Sequence, residues 1–129
     1  MSLSAECLER AQVSLVDDVE WRGLGSTDCS VLLADGEQQF RVEFHAFRVR
    51  EVRAVDASAA RDCDIQITLA DWDGYLQGRG EGTAPLLVEL DLTDQIVSPG
   101  DARARLLFLR YHLSIQYFVD RLAATVAAA

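Results

Sequence analysis

Pro99-Gly100-Asp101-Ala102-Arg103-Ala104-Arg105-Leu106-Leu107-Phe108-Leu109-Arg110-Tyr111-His112-Leu113-Ser114-Ile115-Gln116-Tyr117-Phe118-Val119-Asp120-Arg121-Leu122 reads as a turn, a cap and a helix with more apolar surface than one core face needs. Asp101 is a preferred N-cap whose charge suits a helix N-terminus, while Pro99 and Gly100 stop whatever precedes it. At about 100° per residue, Leu107, Phe108, Tyr111, Ile115, Phe118, Val119 and Leu122 share one stripe. Leu106, Leu109 and Leu113 form a second flank, and Arg103, Arg110, Ser114 and Arg121 line up as the wet face. A helix apolar on two flanks covers a sheet with one. It offers the other to a partner subunit or to a bound apolar molecule.

The preceding chain supplies the sheet. Residues 4–18 place Leu8, Ala11, Leu15 and Val19 at helical spacing behind Ser4 as cap, with Glu6 in the first turn. Trp21 to Asp28 is a loop by its glycines and small polar residues, and Cys29 to Ala34 a short buried strand. Asp35-Gly36 is the strongest hairpin signal. Beyond it Phe40, Val42 and Phe44 alternate with Gln39, Arg41, Glu43 and His45, a half-buried strand whose phase changes at Ala46 and again at Val52. Residues 37–55 are therefore one bent strand or two, and ordinary strand length favours two. Ala57 to Arg61 is a loop, Asp64 to Leu69 a strand, and Asp71 to Gln77 a short helix stopped at Gly78. Either Thr68-x-x-Asp71 forms a capping box or Asp71 caps the turn itself. Arg79 to Pro85 reads as a mobile linker, followed by Leu86–Leu92 and Gln95–Ser98 as two more strands. Helix, strands, short helix, strands, long helix is the order of an α+β fold with the helices packed on one face of the sheet and the other face wet.

A length of 129 residues with half of them hydrophobic predicts one domain over 1–129 with a genuine core. The longest apolar runs fall short of a membrane span, and Met1-Ser-Leu-Ser-Ala-Glu lacks the basic start of a signal peptide, so the expected setting is soluble and cytoplasmic, without stable membrane insertion. Thr125 to Ala129 shows no lipidation signal and is expected to fray. A formal charge of −9 argues against nucleic acid and against anionic membranes. All twelve basic residues are Arg, with neither Lys nor Asn and much Ala, the bias of a GC-rich bacterial genome. Cys7, Cys29 and Cys63 are an odd number without C-x-x-C spacing, favouring reduced thiols over disulfides or zinc.

Candidate chemistry is sparse. Asp71 and Asp73 flank Trp72, but carboxylates at i, i+2 on a helix start point apart, so capping is their ordinary role. His45 and His112 have no nucleophile or acid placed beside them by a known motif. Gly78-Arg-Gly-Glu-Gly82 follows a helix instead of preceding one and does not make a phosphate loop. No catalytic residue, metal ligand or cofactor is assigned. Arg41, Arg48, Arg50 and Arg53 concentrate positive charge, which suits either a solvated sheet edge or the carboxylate of a fatty acid.

Three stretches resemble the sterol carrier protein 2 family. Asp64-Ile-Gln-Ile-Thr-Leu-Ala-Asp-Trp-Asp-Gly-Tyr-Leu-Gln-Gly78 is similar to its strand, acid-started short helix and Gly. Gln95-Ile-Val-Ser-Pro-Gly-Asp101 is similar to its strand ending in Gly-Asp before the last helix, and the pair around Asp35-Gly36 to its opening hairpin. The likeness spans residues 29–115, but Thr93-Asp94-Gln95 stands where the family has a Gly and a basic residue, its short helix is longer, and its lysines and peroxisomal ending are missing. It implies a mostly antiparallel five-stranded sheet and a non-catalytic carrier that holds an apolar small molecule, a fatty acyl chain or other lipid, between sheet and helices. Phe44, Phe47, Leu106, Leu109 and Leu113 are the candidate ligand-binding residues. The alternative is an acidic homodimeric interaction module of the secretion-chaperone type, paired through the C-terminal helix.

Overall fold

A computed structural model describes residues 3–36, 38–56, 58 and 62–128. Ser4 caps α1 (Ala5–Ser14) by accepting from the Cys7 N–H at 3.2 Å, and Leu8, Ala11 and Leu15 turn inward as their spacing requires. The helix ends earlier than residue 18 because Asp18 starts a new one, α2 (Val19–Gly23), by accepting from the Trp21 N–H at 3.0 Å. Two corrections follow: Trp21 lies in a helix and not a loop, and Val19 is 82% exposed and not on the buried stripe.

Strands β1 (Cys29–Ala34) and β2 (Gln39–His45) form the expected antiparallel hairpin, and Asp35 Oδ1 accepts from the Gln38 N–H at 2.9 Å in the connection. The phase changes after Phe44 resolve into two strands. β2 turns at Ala46-Phe47, with Ala46 at φ 54°, into β3 (Arg48–Val55), and the register shifts between Glu43 and Phe44. The turn brings His45 opposite Arg48 and leaves Phe47 at the hairpin tip. Most of the loop expected from Ala57 to Arg61, at positions 57 and 59–61, lies outside the described residues.

β4 (Ile65–Thr68) pairs with β1 in parallel, and β5 (Val97–Ser98) pairs antiparallel with β4, giving the order β3-β2-β1-β4-β5. The sheet is five-stranded and mostly antiparallel, but mixed. β3 and β4 thus lie on opposite sides of the β1–β2 pair. Arg41 of β2 donates to Asp62 O at 3.0 Å, and its cross-strand neighbour Leu32 is fully buried. The second face is therefore not simply wet: all six β1 residues are buried.

The middle of the chain departs most from its local reading. α3 (Trp72–Glu81) is capped by Asp71, which accepts from the Gly74 N–H at 2.9 Å, and it runs through Gly78 to stop at Gly82 in the left-handed region (φ 76°). Gly78 serves close approach instead of termination, since a Cβ there would lie 2.8 Å from the Ala84 Cβ. Arg79 to Pro85 is no free linker: Arg79 makes a two-pronged pair with Asp120 at 2.8 Å and donates to Ala84 O at 2.9 Å. Leu86–Leu92 is not a strand but most of α4 (Leu87–Asp94), and only Val97 and Ser98 of the expected second strand pair with the sheet. Glu89 at the third helical position accepts from the Leu86 N–H at 3.1 Å, a side-chain closure of the first turn that a strand could not make.

α5 (Ala102–Ala128) starts at Asp101, which accepts from the Ala104 N–H at 2.9 Å. At 27 residues it is about 40 Å long and crosses the whole molecule. Phe108, Tyr111, Ile115, Phe118, Val119 and Leu122 are buried in one cluster with α1, α3 and the inner sheet residues Val31, Leu33, Phe40, Val42, Phe44, Ile65 and Ile67, and Leu107 is packed against it. Ser114, expected on the wet face, is 4% exposed, and Gln116 7%. Gln116 Oε1 accepts from the Leu87 N–H at 2.7 Å, while its amide donates to Asp120 at 2.9 Å and to the Tyr75 hydroxyl at 3.3 Å, tying α3 and α4 to α5. Among the described residues no helix is long and apolar enough to cross a membrane.

Candidate functional site

The five candidate ligand-binding residues occupy three different places. Phe44 is 3% exposed and stacks edge-on against Phe118, with Trp21 on its other side, so it is core. Leu106, Leu109 and Leu113 stand 67%, 56% and 60% exposed on the outside of α5. Phe47, 51% exposed, projects from the β2–β3 tip into a groove of about 490 Å³ shared with the end of α1.

That groove is built from exact local features of the chain. Ala46 in the left-handed region makes the tight turn that puts Phe47 outside the alternation of both strands. Trp21 Nε1 donates to Phe47 O at 2.8 Å and Gln12 Nε2 to Val49 O at 2.8 Å, so α2 and α1 are stitched to the hairpin. Val13 and Val16, 70% and 61% exposed, line the groove together with the buried Leu15 and Val49. Arg22 and Arg48 also line the groove, and among the described residues neither has a carboxylate partner. The other sheet arginines are engaged: Arg41 bonds Asp62 O and the Cys63 thiol, Arg50 lies 4.0 Å from Glu43 and Arg53 3.0 Å from Glu51. Reading the sequence missed Val13, Val16 and Arg22. Their signal was available in valines that fall off the Leu8–Ala11–Leu15 stripe of an otherwise amphipathic helix.

A second groove, about 550 Å³, lies between α3 and the last turns of α5, with Leu76, Ala123 and Val126 at its base and Asp71, Asp73 and Glu81 at its rim. Its acids have structural work: Asp71 caps α3 and Asp73 accepts from the Leu3 N–H at 2.7 Å. On the outer sheet face His45 Nδ1 lies 3.2 Å from Asp28 Oδ1, while Ser30 bonds Asp64, so histidine and hydroxyl have different partners. Among the described residues no cluster of three His, Cys, Asp or Glu side chains could hold a metal ion. Burial, followed by the nearby Asp64 and Asp28, pushes the Cys29 thiol up to about 12, and burial also raises that of the half-buried Cys63. Neither supplies a thiolate nucleophile near neutral pH.

Compared with known proteins, the chain matches no family, no curated protein and no solved structure.

Proposed function

We propose that the chain is a non-catalytic binding protein for an apolar small molecule, a fatty acyl chain or similar lipid, held in the groove between α1, α2 and the β2–β3 tip. The observation that carries this reading is that exposed Phe47, Val13 and Val16 line one stitched groove of about 490 Å³, within the size range of small-molecule sites. Three large apolar side chains left in water around one concavity gain free energy when an apolar chain covers them, roughly 25 cal/mol per Å². Arg22 and Arg48 suit an acidic end group. The resemblance of Asp64–Gly78 and Gln95–Asp101 to the sterol carrier protein 2 family supports the ligand class.

Titration with a fluorescent long-chain fatty acid tests the reading. Saturable binding is expected, and Phe47→Asp, at an exposed tip, should weaken it at least tenfold without changing the melting temperature. Absence of binding, or binding indifferent to Phe47→Asp, overturns the groove as the site. The interaction-module alternative is favoured by a different observation, the bare leucine flank of α5.

A further inference from the structure

The outer face of α5 changes along its length. From Tyr117 onward it is covered on one side by the α1–α2 junction, where Asp18 bonds Tyr117 and Arg121, and on the other by α3, where Arg79 pairs with Asp120. Between Leu106 and Leu113 the described chain leaves it open. The three leucines stand at i, i+3 and i+7, the spacing of a helix-pairing seam.

The borders of this seam carry opposite charge. By helical geometry Arg103 and Arg110 lie about 40–60° to one side of Leu106, and Gln116 and Arg105 about 80–100° to the other. The latter two hold α4, through Leu87 N and Asp91. α4 contains Glu89, Asp91 and Asp94 and no basic residue, and Glu89 and Asp94 are exposed. Arg110 rests over the Tyr111 ring, 5.2 Å from its centre, and has no carboxylate partner among the described residues, whereas Arg103, largely exposed, keeps a long contact of 3.4 Å to Asp64.

We infer that the seam is a homodimer interface in which two copies of α5 pack side by side, pointing the same way, about a two-fold axis parallel to the helices. That axis sets the arginine border of each copy against the acidic α4 of the other. Antiparallel pairing would oppose like charges on both borders, and a uniformly acidic partner helix would suit the arginines while leaving α4 repelled. Only a second copy in this orientation satisfies both. Three leucines expose a few hundred Å², less than the roughly 800 Å² per partner of a standard interface, so the dimer should form at micromolar rather than nanomolar concentration. The inference is independent of the small-molecule site.

Sedimentation equilibrium of the purified chain tests it. Masses should rise with concentration from 14.3 kDa towards twice that value, and Leu109→Asp should remain monomeric with an unchanged circular dichroism spectrum. Arg103→Glu/Arg110→Glu should weaken association at least tenfold, and adding Asp94→Arg to the same chain should recover part of it. A chain that stays monomeric to millimolar concentration, or a dimer that survives Leu109→Asp, overturns the interface. Association indifferent to the charge reversal overturns the parallel two-fold.

Discussion

At the scale of single residues, the polar groups that matter most are those that join elements remote in sequence. Asp18 starts α2, and its carboxylate also meets the Tyr117 hydroxyl, 2.9 Å from both oxygens, and the Arg121 guanidinium. Its pKa lies below the ordinary 3.8, chiefly because the Trp21 N–H donates to it, with Tyr117 and Arg121 adding to that and burial opposing. A carboxyl depressed in the folded state contributes stability that is complete above its unfolded pKa and is lost as pH falls through the folded value. Asp18→Asn should therefore melt earlier than the parent at pH 7, with the gap closing below about pH 4. Thermal unfolding followed from pH 7 to pH 2.5 checks this, and a gap that widens on acidification would contradict the assignment.

Elements show how local pattern and tertiary context divide the work. Leu86, Val88, Leu90 and Leu92 alternate as a strand would, yet they form a helix, because Glu89 closes the first turn and the helical period puts Leu87 and Asp91 together against Gln116 and Arg105. Of the three glycines in α3, Gly78 and Gly80 play different parts. Gly80 has open space around its Cβ position, whereas a Cβ on Gly78 would press on Ala84. Gly80→Ala should stabilise by up to about 1 kcal/mol through helix propensity. Gly78→Ala gains the same propensity but must displace the chain after Gly82, an overpacking cost of about 1–3 kcal/mol, so its net effect should be destabilising. Urea unfolding of the two variants should move the midpoint in opposite directions.

For the whole molecule, α5 is the axis on which stability and surface properties separate. Ile115, 1% exposed, sits in the cluster shared by α1, α3 and the sheet. Ile115→Asp removes roughly 1.5–3 kcal/mol of apolar burial and adds the desolvation of a charge, a loss comparable with the roughly 5–15 kcal/mol stability of a small domain. It should be unfolded by circular dichroism at 25 °C. Leu109→Asp, on the bare flank, should shift unfolding by no more than about 0.5 kcal/mol in the monomer. Equal destabilisation by both substitutions would mean that the two flanks of α5 are not distinct.

Periodicity and caps alone determined the elements whose partners do not alter their local geometry. Ser4, Asp71 and Asp101 cap as their side chains dictate, β2 and β4 follow the alternation of their apolar residues, and the two flanks of α5 follow from residues spaced along one helix. Tertiary structure alone decided the helical state of Leu87–Asp94, the parallel β1–β4 pairing, and the burial of Ser114 and Gln116. It also separated the candidate residues, sending Phe44 to the core, Phe47 to a groove with Val13 and Val16, and the leucines to open surface. The physical reason is reach: a cap or an apolar period acts within a few residues, whereas burial and pairing depend on contacts such as Gln116 to Leu87, 29 positions apart, which exist only once the chain has folded.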